Sequence, residues 1–375
     1  MKLQRTLFLF ILWLSIPALG ETTETSRAKL AIQSQSPSTW QSHGFYTLNS
    51  PQLPEAVKQS ARSVFRVEFP LFPPFDQNTD AGKKLLRQVE EILISVYPND
   101  TFVKSIMQPQ VHKCRRNTDS PCTIYQTGSA FLMEDNTTLW TALHNFDIAI
   151  LRAAQLEGIN LRDGVSPDEY KKVKKIKMPI KIFNYQGNQI FGDERDQMSI
   201  KELSPLFVQG IAPLDGESIH YLDHAKIKLS RPLRGYKPLE TETSTQEIGS
   251  EAYLVGAPRQ TTDRAAISRP DSPGGKVMVS HGPVLPLSEG RNRSGQDLVS
   301  YSLGMQTLAH ESELAVASDC VPGNSGGPYL NSNGKVIGLF RASMPQDHHG
   351  VDPKRVCQAI KTGFLVNGTS VSIGK

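Results

Sequence analysis

The sequence predicts an all-β protein, either a sandwich or a pair of barrels, and three observations carry that reading. Short runs of alternating apolar residues recur along most of the chain, with few helical stretches between them. Gly and Pro are plentiful (28 and 25 among 375 residues), as a loop-rich strand protein requires. No repeat of roughly 20–50 residues signals a solenoid or propeller. The chain is long enough to bury one large or two modest cores. Its 38% hydrophobic and 21% charged content is ordinary for a soluble globular protein.

Residues 1–20 read as a signal peptide. Lys2 and Arg5 form a basic start, Leu7 to Ile16 is an apolar run too short to span a bilayer comfortably, and Ala18-Leu19-Gly20 offers small residues for cleavage. A retained anchor is the alternative, but the polar Glu21-Thr-Thr-Glu-Thr-Ser26 favours removal. The expectation is a secreted or periplasmic protein with no stable membrane span after cleavage. Residues 21–60, rich in Ser, Thr, Gln and Pro, are expected to be a flexible leader or pro-segment, 61–365 the folded domain, and 366–375 a tail.

Ala61 to Phe69 is the first strand by its alternation. An extra N-terminal helix follows from Asp80 to Val96, with Leu85, Leu86, Val89, Ile92, Leu93 and Val96 on one face and Pro98 ending it. Gly128 to Met133 and Leu139 to Asn145 read as a hairpin about Glu134–Thr137. Residues 147–165 look helical, and 171–211 form a β-rich, charged insertion. Ser218 to Leu229, Glu251 to Pro258 and Lys276 to His281 are further strands. Tyr329 to Phe340 brackets Asn331-Ser-Asn-Gly334 as a hairpin, and Asp352-Pro353 opens a short terminal helix carrying Cys357.

Removing Lys2 and Arg5 leaves basic and acidic residues nearly balanced, so the charge does not point to nucleic acid, and no nucleic-acid partner is expected. The only basic cluster, Lys171 to Lys177, lacks aromatic interleaving and reads as a solvated edge strand or loop. Four cysteines in an exported chain permit three disulfide connectivities. Cys114 with Cys122 would close a short loop, and Cys320 with Cys357 one beside Ser325. No C-x-x-C pair is present, so zinc and dithiol chemistry have no support, and neither metal nor cofactor is expected.

Gly323-Asn-Ser-Gly-Gly-Pro328 sets one hydroxyl, that of Ser325, among small residues. There it has little steric cover, and backbone N–H groups can turn toward a substrate carbonyl. An isolated Gly-x-Ser-x-Gly is more often a surface turn; the full hexapeptide is far more specific. Such a nucleophile needs an imidazole base and an orienting carboxylate. Of nine histidines, His144 stands out, ending the apolar strand Trp140-Thr-Ala-Leu-His144. Two aspartates compete to orient it. Asp147 lies three residues on, too close to approach Nδ1 from the far side, whereas Asp223 begins the alternating strand Asp223-His-Ala-Lys-Ile-Lys-Leu229.

These segments resemble the trypsin/chymotrypsin-like serine peptidases: the hexapeptide as nucleophile loop, Thr-Ala-Leu-His144 as the histidine segment, and Asp223 to Leu229 followed by Pro232 as the aspartate strand. Thr127-Gly-Ser-Ala-Phe-Leu132 resembles the strand that precedes the histidine. The order His144, Asp223, Ser325 is that of the family; the α/β-hydrolase alternative needs acid and histidine after the serine, where only 50 residues remain. The resemblance implies two antiparallel six-stranded β-barrels with a cleft between them, and an insertion near 155–210. It also implies a His144–Asp223–Ser325 triad, an oxyanion hole from the N–H groups of Gly323 and Ser325, and protein or peptide substrates. Pro322-Gly-Asn-Ser-Gly-Gly-Pro328 is closer to the bacterial and HtrA-type branch, without a PDZ domain. Asp319, six residues before Ser325, stands where a pocket base would select Arg or Lys, and Arg341 is placed to pair with it. A catalytically silent homologue that binds a protein partner through the same cleft is the competing reading.

Overall fold

A computed structural model describes residues 44–95, 101–116, 121–159, 166–203, 223–258, 276–285, 313–321, 323–345 and 355–366. The signal peptide, the leader up to residue 43 and the tail from 367 lie outside the described residues. The N-terminal sheet is built from β1 (Val64–Pro70), β2 (Tyr125–Leu132), β3 (Thr138–Thr141), β4 (Met178–Pro179), β5 (Lys181–Phe183), β6 (Gln189–Phe191), β7 (Gln197–Leu203) and β8 (Ala225–Leu229). Its strand order is β4-β7-β8-β3-β2-β1-β5-β6. The second unit is a closed barrel of β9 (Glu251–Gly256), β10 (Met278–Leu285), β11 (Glu313–Ala317), β12 (Pro328–Leu330), β13 (Val336–Pro345) and β14 (Arg355–Lys361). The all-β, chymotrypsin-like class is therefore as expected. Six strands close the second barrel, and the first sheet runs to eight because the insertion between His144 and Asp223 adds β4 to β7 to its edges.

The expected hairpin forms from β2 and β3, with Phe131 opposite Trp140 and Leu132 opposite Leu139. Alternation explains the burial, since Phe65, Val67 and Phe69 of β1 pack on one core with Ala130, Leu132, Leu139 and Ile227. The expected helix is found as α2 (Asp80–Ser95), after a shorter α1 (Glu55–Ala61). A further helix, α3 (Thr101–Arg116), was not expected; Met107, Val111 and Cys114 recur at helical spacing and are buried, and this outweighs Pro109 within it. Cys114 and Cys122 form a disulfide, as do Cys320 and Cys357.

Three expectations are corrected. Leu53 and Val57, placed in the flexible leader, and Ala61, expected to open the first strand but found at the end of α1, are buried in a core shared with Phe131 and Trp140 of the first sheet and Val255, Val279 and Leu330 of the barrel. The fold thus begins well before residue 61, because α1 supplies the apolar face that fills the space between the two sheets. Lys171 and Lys172 lie on a helix, α5 (Pro167–Val173), not on an edge strand. Ser166 accepts from Glu169 N–H, Glu169 reaches back to Ser166 N–H, and Pro167 opens the first turn. Cys357 sits on strand β14, hydrogen-bonded between β11 and β13, rather than on a terminal helix. The helix that does form there, α6 (Thr362–Val366), follows that strand.

Candidate active site

His144 lies in a single 3-10 turn, Leu143–Asn145, directly after β3, and α4 (Asp147–Leu156) continues from it. Asp223 lies two residues before β8 and is wholly buried. The pairing of β3 with β8 brings the two together across the sheet, Thr141 opposite Ala225. Asp223 then grips His144 at two points: Oδ1 accepts from the backbone N–H at 3.1 Å, and Oδ2 contacts Nδ1 at 2.5 Å. An ionised carboxylate can only accept, so Nδ1 carries a proton, and in the neutral ring Nε2 is then the nitrogen with the lone pair.

Burial alone would hold the His144 pKa down. The charge and hydrogen bond of Asp223, helped by the charge of Asp147, outweigh burial and the opposing charge of Arg341, and the net shift is upward. Burial likewise pushes the Asp223 carboxyl up. It ends below its ordinary value because His144, Arg341 and the His144 backbone N–H all favour the anion. Asp147, the rejected aspartate, has a different occupation: its Oδ1 accepts from Gln126 Nε2 at 2.6 Å and from Ile148 N–H at 2.7 Å.

Ser325 is 9% exposed in the turn before β12, with Gly323 and Gly326 at φ of 97° and 82° on either side. That left-handed backbone suits glycine, and at Gly326 a Cβ would lie 2.3 Å from the Ser129 carbonyl oxygen. The N–H groups of Asn324, Gly326 and Gly327 are used within the fold, donating to the carbonyls of Val321, Phe340 and Asn324. Among the described residues, the N–H groups of Gly323 and Ser325 donate to no acceptor.

A buried brace joins the histidine and serine segments, and sequence reasoning did not find it. Ser129 of β2 donates its N–H to Ser325 O at 2.8 Å and its hydroxyl to Gly323 O at 2.7 Å, while accepting from Ala257 N–H. Asn145, the neighbour of His144, donates from Nδ2 to the same Ser325 carbonyl at 2.7 Å and to Thr141 Oγ1 at 2.9 Å. Thr141 in turn donates to Ser129 O at 2.7 Å. The available signal was the polarity of Ser129 and Asn145 inside apolar runs, since buried polar groups demand partners.

At the other edge of the turn, Asp319 is half-buried; its Oδ2 accepts from Gly44 N–H at 2.8 Å and its carbonyl from Ser280 Oγ at 2.5 Å. Arg341 is buried on β13 and acts electrostatically on His144 and Asp223. The expected role of Arg341 looked only toward Asp319 and missed this.

The model of the trypsin-like peptidase domain matches residues 128–339, which include His144, Asp223 and Ser325. The chain belongs to the trypsin-like peptidase family. By that membership it is a serine endopeptidase. Comparison with curated protein sequences finds no match. Among solved structures the peptidase is similar to an HtrA-type protease, AlgW, with a decapeptide (14% identity, TM-score 0.41, covering 83% of this chain and 64% of that one). It is also similar to the active form of the Rv3671c protease from M. tuberculosis (11%, TM-score 0.42, covering 85% and 83%). A third is the serine endoprotease from Yersinia pestis (14%, TM-score 0.39, covering 84% and 63%). The peptidase spans less than two thirds of the length of the AlgW and Yersinia chains.

Proposed function

We propose that this peptidase hydrolyses peptide bonds of protein or peptide substrates through an acyl-enzyme on Ser325. As Ser325 Oγ attacks the scissile carbonyl, His144 Nε2 takes its proton and passes it to the leaving amine. A water then attacks the acyl-enzyme, giving its proton to the same nitrogen, and the acid product leaves as Oγ is reprotonated. Asp223 holds the imidazole in the tautomer and orientation that this requires. The N–H groups of Gly323 and Ser325 receive the oxyanion, a contribution of about 3 kcal/mol per donor. The observation that carries the reading is the two-point grip of Asp223 on His144, which fixes both the ring and its backbone.

A fluorophosphonate probe tests it. Ser325 should be labelled in the wild-type chain, not in Ser325→Ala, and only very slowly in His144→Ala. A folded wild-type chain that takes no label would instead be the silent, partner-binding homologue.

The signal peptide at 1–20 and a secreted or periplasmic location are part of the same proposal, supported by the two disulfides. Among the described residues no helix is long and apolar enough to cross a membrane. For specificity we read a preference for Arg or Lys before the cleaved bond, from the carboxylate of Asp319. A cleavage profile dominated by acidic or large apolar residues would end that assignment.

A further inference from the structure

Arg341 is a buried charge beside the site with no part in the chemistry above. It is 3% exposed, and the β13–β14 ladder breaks at its position: Phe340 pairs with Ala359 and Ala342 with Gln358, leaving Arg341 as the extra residue of a bulge. A bulge takes one residue out of the regular alternation and re-aims its side chain, a device that recurs next to active sites. The preceding residue is fastened to the nucleophile turn on both sides. Phe340 O accepts from Gly326 N–H at 2.9 Å, and Phe340 N–H donates to Gly327 O at 2.8 Å. That turn is tied through the Ser325 carbonyl to Asn145, next to His144. Arg341 is therefore buried one residue from the point where β13 fastens the nucleophile turn.

A guanidinium keeps its proton at any accessible pH, so a buried arginine is a fixed positive charge. The charged groups that act on the imidazole come from three places. Asp223 precedes β8, Asp147 opens α4, and Arg341 comes from the bulge of β13. Two carboxylates with no cation beside them would favour the imidazolium, which cannot accept a proton. The arginine opposes them.

We propose that Arg341 is a positioning residue for the proton-accepting state of His144: its guanidinium, buried at the bulge of β13 next to the residue that fastens the nucleophile turn, offsets one of the two carboxylates that act on the imidazole. This rests on the reading of His144 as the base.

The test is the pH dependence of fluorophosphonate labelling in the full chain. In wild type the labelling rate falls on the acid side as His144 gains its proton. Removing a positive charge makes protonation easier, so in Arg341→Met the midpoint of that fall should move up by about 1 pH unit. Arg341→Lys, which keeps the charge, should stay near the wild-type midpoint. In Arg341→Met/Asp147→Asn, the lost cation and the lost anion should largely cancel. An unmoved midpoint in Arg341→Met, or an equal shift in Arg341→Lys, overturns the proposal. If Arg341→Met does not fold, the double variant is compared with Asp147→Asn alone: the double should lie higher by a similar amount, and coincidence overturns the proposal. His144 titrated by NMR in the Ser325→Ala background separates the two readings. If His144→Ala labels at the wild-type rate, the base assignment falls, while the NMR midpoint with and without Arg341 still decides the role of the arginine.

Discussion

The open sheet and the closed barrel hold their shares of the site in different ways. In the sheet, His144 and Asp223 are placed by neighbouring strands, β3 and β8, and locked by hydrogen bonds from a buried carboxylate. In the barrel, Ser325 sits on a turn between strands, held by a disulfide five residues upstream, by Phe340 of β13, and by Ser129 and Asn145 from the other unit. The sheet tolerates added edge strands because its site lies on central strands, and the barrel, closed on itself, has no edge to extend. Variation in length belongs to the sheet, and conformational fixity belongs to the barrel.

The sharpest way to break this contrast is to remove one reacting group from each side. Ser325→Ala and His144→Ala should each lower kcat by roughly 10⁴–10⁶-fold, and the double variant should be hardly worse than either, because the two groups act as a unit. Strictly multiplicative losses in steady-state peptide hydrolysis would show that they do not.

The disulfides come next. Cys320–Cys357 closes a separation of 37 residues in the barrel, and Cys114–Cys122 one of 8 beside the sheet. Chain entropy assigns them about 4 and about 2.5 kcal/mol respectively. Paired Cys→Ala variants in urea unfolding should keep that order. Only the barrel pair should also slow labelling of Ser325 at temperatures where the fold persists.

A smaller effect addresses the brace between the two units. Asn145→Ala leaves the Ser325 carbonyl with one donor fewer and should cost about 1–3 kcal/mol of stability. It should also lower kcat/KM about 10-fold or more, since a displaced nucleophile turn loses alignment with the imidazole. Unchanged kcat/KM at a lowered melting temperature would confine Asn145 to stability.

The smallest concerns the sheet alone. His224, 3.7 Å away, and Lys226, at 2.9 Å, together outweigh burial and hold the Glu202 carboxyl down at about 2. A depressed carboxyl stabilises the fold above its ordinary value of 4.5, and that stability is lost as pH falls toward 2. Glu202 is partly exposed, so solvent screening leaves about 0.5–1 kcal/mol. The stability gap between wild type and Glu202→Gln should be present at neutral pH and shrink through that acid window.

Much of this was legible in the sequence where the determinant is local. The alternation of β1, β2 and β8, the Asn331–Gly334 hairpin and the hexapeptide around Ser325 are patterns within a few residues. His144 and Asp223, which the structure brings into contact, were singled out because each ends or begins such a strand. What escaped depends on distant partners. Ser129 and Asn145 reach Ser325 across 196 and 180 positions, and no local pattern reports that. Cys357 was assigned to a helix because Asp352-Pro353 is a good local start signal, yet hydrogen bonding on both sides by β11 and β13 prevails. Arg341 gave no sign of its bulge, since an irregular ladder exists only once two strands have met. The capping pattern Ser166-Pro-Asp-Glu169 was present, but the lysines beyond it drew the reading toward an edge strand.

The segment around α1 sets an order on how the chain matures. Gly44 is bonded to Asp319, Tyr46 pairs with Val279, and Ser60 donates to the carbonyl of Gly334, so these hydrogen-bonded anchors of the earliest-made part of the domain lie in its last third. A ribosome or an export channel delivers these residues first, and their partners arrive more than two hundred positions later. Such non-local closure is slow, and until the barrel is made the apolar face of α1 has only the first sheet, at Phe131 and Trp140, to pack against. The seating of the N-terminal segment is complete only once a barrel synthesised long after it has formed.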